Sequence, residues 1–180
     1  MIIFVCILAI IIIYILANYN KLVKLKNKVK QSKSGIDVYL NQRFDLIPNL
    51  VECVKGYANH EKSVIENITK LRTAYMKNNK NIKKAEELNN GINGILAIAE
   101  GYPELKASEQ FLNLQKNLSK IESQLQAARR IYNNNVTKYN TTIETIPTNL
   151  IASIFGMKKA ELFQIEEYKR ANIDIGSETN

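Results

Sequence analysis

The opening run constrains this chain more than any other feature. Met1 to Ala17 carries no charge and no strongly polar side chain. As a helix at ~1.5 Å per residue it is about 25 Å long, at the short end of what a bilayer core requires. Tyr14 and Tyr19 are placed to reach headgroup level, and the lysines just beyond can snorkel and extend the span. No basic residue precedes the run, and Ile15-Leu16-Ala17 is a poor small-x-small cleavage site, so the sequence predicts a retained, single-pass anchor from Ile2 to Ala17. Six lysines follow, Lys21, Lys24, Lys26, Lys28, Lys30 and Lys33, before the first acid, Asp37. The rest of the chain is nearly balanced, 19 basic residues against 17 acidic, so the net charge of +8 is a local signal. By the positive-inside rule it places the N-terminus outside and the remainder in the cytoplasm. The same lysines form a polybasic patch able to contact anionic lipid, at ~1 kcal/mol per residue near a charged leaflet. No aromatic residues are interleaved with them and no recognition motif follows, which argues against nucleic acid.

Beyond the anchor the pattern is helical throughout. Leu22, Leu25, Val29, Ser32, Ile36, Tyr39, Arg43, Leu46, Leu50, Cys53, Tyr57, His60, Val64, Asn67 and Leu71 fall at alternating steps of three and four, a coiled-coil-like spacing. The phase does not slip at Pro48, so the sequence predicts one very long first helix, kinked at the proline and reaching about Met76. A solvated turn at Lys77–Lys84 leads to a second helix over 85–100, ended by Gly101-Tyr-Pro103. A third, over 104–141, has the cleanest seam: Phe111, Leu114, Leu118, Ile121, Leu125, Ala128, Tyr132, Val136 and Tyr139. A short helix at 150–155 closes at Gly156, an amphipathic segment spans Lys159 to Arg170, and the tail beyond reads as frayed. With only 7 Gly and 3 Pro, nothing reads as strand. The expected fold is all-α: a transmembrane helix over residues 1–19, an antiparallel four-helix bundle over 20–170 and a flexible tail over 171–180.

The chemistry-bearing residues are sparse. One histidine cannot supply a His-His pair, a multi-histidine metal site or the two Glu-x-x-His pairs of a di-iron bundle, and His60-Glu61 lacks the second histidine of a zinc-protease motif. Cys6 and Cys53 are too far apart in pattern to pair, and Cys53 reads as a small seam residue. Glu52, Glu61 and Glu66 lie near Lys55, Lys62 and Lys70 at ion-pair spacing, as on a solvated face. No enzyme chemistry, metal or cofactor is therefore expected. The ionic residues inside the stripe carry more information. Arg43, Asp45, Asn49, Glu52, Arg129 and Arg130 form either a structural polar layer that fixes helix register or a docking groove beside Pro48.

Several runs together resemble one known family. Tyr19-Asn-Lys-Leu-Val23, Ile36-Asp-Val-Tyr-Leu40, Arg43-Phe-Asp-Leu-Ile-Pro-Asn-Leu-Val51, Val54-Lys-Gly-Tyr-Ala58, Ala128-Arg-Arg130, Tyr132-Asn133, Tyr139-Asn140 and Pro147-Thr-Asn-Leu-Ile-Ala152 are similar to motifs of the LemA family of bacterial membrane proteins, in the same order. Ser32-Lys-Ser-Gly35 and Met157 depart from its pattern. The resemblance implies one transmembrane helix with an outside N-terminus and a cytoplasmic bundle of the bromodomain-like, up-and-down class. It brings no enzymatic activity. The resulting expectation is a non-enzymatic interaction or scaffold protein, integral to a bacterial plasma membrane, that recruits protein partners or copies of itself. The alternative is a ligand-sensing or enzyme-accessory module that uses the polar residues near Arg43 and Arg129.

Overall fold

Helices account for nearly all of the computed structural model, which describes residues 1–57, 62–77 and 82–163. Among these residues lie seven helices and no strand: α1 Ile2–Asp45, α2 Ile47–Lys55, α3 Lys62–Lys77, α4 Ile82–Glu100, α5 Pro103–Ala107, α6 Glu109–Glu144 and α7 Thr148–Ile154. The all-α class read from the periodicity is the class observed. The boundaries follow local chemistry. Pro103 opens α5 at a position where its missing N–H is no loss. Ser108 is extended and separates α5 from α6, and its hydroxyl accepts the backbone N–H of Phe111, capping α6. The single third helix expected from 104 onward is thus interrupted at Ser108. Gly156, at φ 61°, ends α7. Met157 N–H donates to the Ala152 carbonyl and Gly156 N–H to that of Ser153, the paired bonds of a Schellman cap.

The long first helix is shorter than its stripe implied. It is interrupted at Leu46 and ends at Lys55, and α3 is a separate helix. Arg72 and Tyr75 of α3 meet Asp45 and Phe44 at the end of α1, while Thr69 lies beside Val51 and Lys55, so α3 runs back along α2. Folding back buries Ile47, Leu50, Val51 and Val54 against Ile65 and Ile68, whereas one straight rod would leave both stripes exposed. Periodicity could not show this, because the stripe keeps its phase across the turn. Tyr57, expected on the seam, is exposed. His60 lies outside the described residues, as do 164–180 with most of the expected amphipathic segment and the tail. The described part of that segment, Lys159–Phe163, is not helical.

The chain divides into two compact units, one of residues Met1–Gln31 with Arg129–Asn180, the other of Ser32–Ala128. In the first, Leu22 and Leu25 of α1 pack with Tyr139 and Ile143 of α6 and with Ile151 and Ala152 of α7. In the second, residues from α1 to α6 fill a core whose fully buried members include Phe44, Leu50, Ile68, Tyr75, Leu88, Ile92 and Leu125. Gly91 lets α4 approach α3 closely, since a Cβ there would meet Ile68 at 3.2 Å. Gly35 has no such reason: a Cβ would meet nothing within 4 Å. Gly35→Ala is therefore expected to raise stability by about 0.5–1 kcal/mol by stiffening the unfolded chain and favouring helix, measurable by denaturant unfolding of the detergent-solubilised protein.

Candidate functional site

The break between α1 and α2, at Leu46 just ahead of Pro48, lies in the second unit. Pro48 has no backbone N–H, so the carbonyl of Phe44, four residues earlier, loses its helical donor. Arg72 of α3 supplies another: its Nε donates to the Phe44 oxygen at 3.1 Å, and its guanidinium lies 3.5 Å from Asp45. One arginine thereby satisfies the freed carbonyl and neutralises the carboxylate beside it. Arg72→Ala is expected to cost about 2 kcal/mol by leaving that carbonyl without a donor. Adding Pro48→Ala, whose amide can restore the helical bond, is expected to recover part of the loss in urea unfolding. No recovery would mean that the pair with Asp45 carries the effect.

Arg43, next to Phe44, is buried and pairs with Glu122 of α6. Charged and hydrogen-bonded, the pair fixes α1 against α6 at one register. Phe44 meets Tyr75 edge to face with ring centroids 4.8 Å apart, and burial, then the charge of Asp37, pushes the Tyr75 hydroxyl pKa up.

Asn49 and Glu52 face away from this core. With Cys53, Gly56, Tyr57 and, from the start of α6, Gln110 and Asn113, they line an open groove of about 910 Å³. Burial, with a smaller contribution from the Glu52 charge, raises the Cys53 pKa, which keeps the thiol protonated and unsuited to nucleophilic attack. A smaller hollow of about 420 Å³ adjoins Pro48, lined by Val51, Lys55, Thr69 and Arg72 among others. Among the described residues no three His, Cys, Asp or Glu side chains gather where they could hold a metal ion. The groove is open, and most of its lining residues are polar.

A second constellation lies in the first unit, where two Tyr-Asn pairs seven residues apart on α6 hold the extended segment after α7. Asn140 Nδ2 donates to the Ala160 carbonyl and its Oδ1 accepts the Ala160 N–H, both at 2.9 Å. Asn133 does the same for Phe163, at 3.0 and 2.8 Å. The Tyr139 hydroxyl donates to the Lys158 carbonyl and that of Tyr132 to the Glu161 carbonyl. Arg129 lies over the Phe163 ring, 4.8 Å from its centroid, and Lys159 pairs with Glu144. The segment is thus gripped almost wholly by its main chain.

The residues singled out from sequence therefore fall into separate partnerships. Arg43 pairs with Glu122, Asp45 with Arg72, Asn49 and Glu52 line the groove, Arg129 covers Phe163, and Arg130 is exposed. Lys21, Lys24, Lys26, Lys28, Lys30 and Lys33 are all exposed along α1. The sequence reading missed Glu122 and Arg72. Glu122 had a signal, since it sits four residues after Leu118 and three before Leu125, on the buried stripe of α6. Arg72, next to the seam residue Leu71, had none until α3 was known to turn back. Residues 2 to 14 are exposed and apolar, and α1 is long and apolar enough to cross a membrane.

The sequence model of the LemA family matches residues 32–176. Protein LemA of Metamycoplasma hominis is 27% identical over 165 residues, covering 89% of this chain and 75% of that protein. Magnetosome protein MamQ 2 of Paramagnetospirillum magneticum is 24% identical over 179 residues, covering 83% of this chain and 66% of that protein. Magnetosome protein MamQ of Magnetospirillum gryphiswaldense is 22% identical over 178 residues, with 83% and 65% covered. The chain thus spans just under two thirds of these two magnetosome relatives.

Proposed function

Since the chain belongs to the LemA family, we propose that it is a membrane-anchored, non-enzymatic interaction protein that recruits protein partners, or further copies of itself, to the membrane its first helix crosses. The observation that carries this reading is α1 itself. Its first turns form an exposed apolar rod, and the same unbroken helix continues to Asp45. An exposed apolar surface of that length needs acyl chains around it. The six exposed lysines beyond it support an N-terminus outside the plasma membrane and a body in the cytoplasm. Protease added to intact spheroplasts is then expected to leave the body uncut until the membrane is opened.

The docking surface in this reading is the groove beside the kink. Photo-crosslinking residues placed singly at Asn49, Glu52, Tyr57 and Asn113 in the full-length protein in cells should give a specific adduct. No adduct from any of them, with the protein folded and in the membrane fraction, would reject docking there. The groove also supports a second reading, a ligand-sensing module, because its volume falls in the ~300–1,000 Å³ range of small-molecule sites. A metabolite that raises the melting temperature of the wild-type protein, but not of an Asn49→Ala/Glu52→Ala variant, would favour it.

A further inference from the structure

Helix α7 has two faces of opposite character. Ile151, Ala152 and Thr148 are buried, the first two in the core with Leu22 and Leu25. On the other side Leu150 and Ile154, one turn apart, are 63% and 77% exposed, and Ile146, just ahead of the helix, is 78% exposed. Large apolar side chains left open in a row, on an element otherwise well packed, call for a cover.

What covers them follows from where α7 is held. Phe155, at its end, packs on Tyr19 with ring centroids 4.4 Å apart, and Ile15 and Tyr19 both lie against the core that α7 completes. Ile15 belongs to the last turn of the apolar rod, and Tyr19 lies just past its end. A rod of about 25 Å does not fill a hydrocarbon core of ~30 Å, so Tyr19 sits at the level where acyl chains give way to headgroups, as interfacial tyrosines do. Whatever touches Tyr19 sits at that level as well.

We infer that α7 is a second membrane contact: an interfacial helix whose Ile146, Leu150 and Ile154 lie in the headgroup and upper acyl region of the bilayer that α1 crosses. The inference rests on the reading of α1 as a membrane-spanning helix. The bilayer is continuous with the surface α1 already needs covered, which selects it over a second protein copy. Lys158, exposed just beyond the Gly156 turn, adds a cation at headgroup height. Two attachments, one spanning and one lying flat, fix the tilt of α1 in a way a single anchor cannot.

The chain contains no tryptophan, so each introduced indole is a unique depth probe. Full-length Leu150→Trp and Ile154→Trp are reconstituted into phosphatidylcholine vesicles containing phosphatidylglycerol, with lipids brominated either near the headgroup or deep in the chain. Leu8→Trp, inside the span, reports whether α1 is inserted. Ile131→Trp, 59% exposed and twelve residues up α6 from Ile143, about 18 Å along the helix, reports adsorption of the body. The expected result is a blue-shifted emission at 150 and 154 that loses most of its intensity to the shallow bromines and less to the deep ones, with Leu8→Trp quenched by the deep bromines and Ile131→Trp by neither. Quenching at Leu8 but water-like emission at 150 and 154 overturns the inference and leaves the anchor standing. Blue-shifted but unquenched emission means that protein covers α7, and equal quenching at Ile131 means adsorption of the whole body; each overturns it. Loss of quenching at Leu8 removes the anchor and the inference together.

Discussion

Replacing Asn133 and Asn140 together with alanine is expected to free the segment Lys158–Phe163 from α6 and lower stability by about 3 kcal/mol. Four hydrogen bonds are lost, each with a net contribution of ~0.5–1.5 kcal/mol. Hydrogen exchange checks it most directly: the amides of Ala160 and Phe163 should exchange at nearly unprotected rates in the double variant, while the core amides of the second unit keep their protection. Asn140→Asp separates the two halves of the grip, since a carboxylate accepts the Ala160 N–H but cannot donate to its carbonyl. The hydroxyls of Tyr132 and Tyr139 add a pH signature. Burial raises both pKa values, and for Tyr132 the charge of Glu161 raises it further. The folded state therefore holds these protons more tightly than the unfolded chain, whose tyrosines titrate near pH ~10. Their contribution is complete below that value and is lost as the pH rises through the higher folded values. A Tyr132→Phe/Tyr139→Phe variant should show a flatter fall in stability above pH ~10. An unchanged slope would show that these hydroxyls are not the groups titrating.

The second large effect is expected at Arg43. Arg43→Ala removes one partner of a largely buried ion pair and leaves the Glu122 carboxylate in the core interface, at a cost of about 3 kcal/mol. Arg43→Ala/Glu122→Ala should lose less than the two single variants summed, because neither charge is then stranded, and the double-mutant cycle should return a coupling energy of roughly 1–3 kcal/mol. Denaturant unfolding of the four proteins in one detergent supplies the numbers. Near-zero coupling, with a folded Arg43→Ala protein that has lost a crosslinked partner, would reassign Arg43 from structure to docking.

How far these features were legible depends on the range of the interaction that makes them. The helical class, the apolar opening run and the α6 seam are local patterns, repeating within a few residues of themselves, and Leu118, Leu125 and Tyr139 are buried where the spacing puts them. The fold-back after α2 is a long-range event. The stripe from Leu50 to Leu71 is compatible with one rod or with two packed rods, and only the partner surface decides. The same holds for the polar residues. Arg43 was visible as a charge on an apolar stripe, but its partner is 79 residues away in sequence. Asn133 and Asn140 appeared only as components of repeated Tyr-Asn motifs, because a side chain that binds another segment's main chain has no complementary residue type to search for. Arg72 became meaningful only once Pro48 was seen to free a specific carbonyl.

The grip on Lys158–Phe163 works as a measuring scale. Two turns of α6, the seven residues from Asn133 to Asn140, advance ~10.5 Å, and three extended residues, Ala160 to Phe163, advance about 10 Å. The two rulers coincide at both ends, for the asparagines and again for the tyrosines, which meet Glu161 and Lys158. A scale of this kind counts residues and is largely blind to their identity. Side chains between Lys158 and Glu161 can drift while each N–H and C=O still finds its mark. Adding or removing one residue between Ala160 and Phe163 changes that ruler by about 3.3 Å and leaves the helical one unchanged, so only one of the two asparagines can keep both of its bonds. The segment is therefore tolerant of substitution and intolerant of changes in length, the reverse of what a surface stretch without helix normally permits.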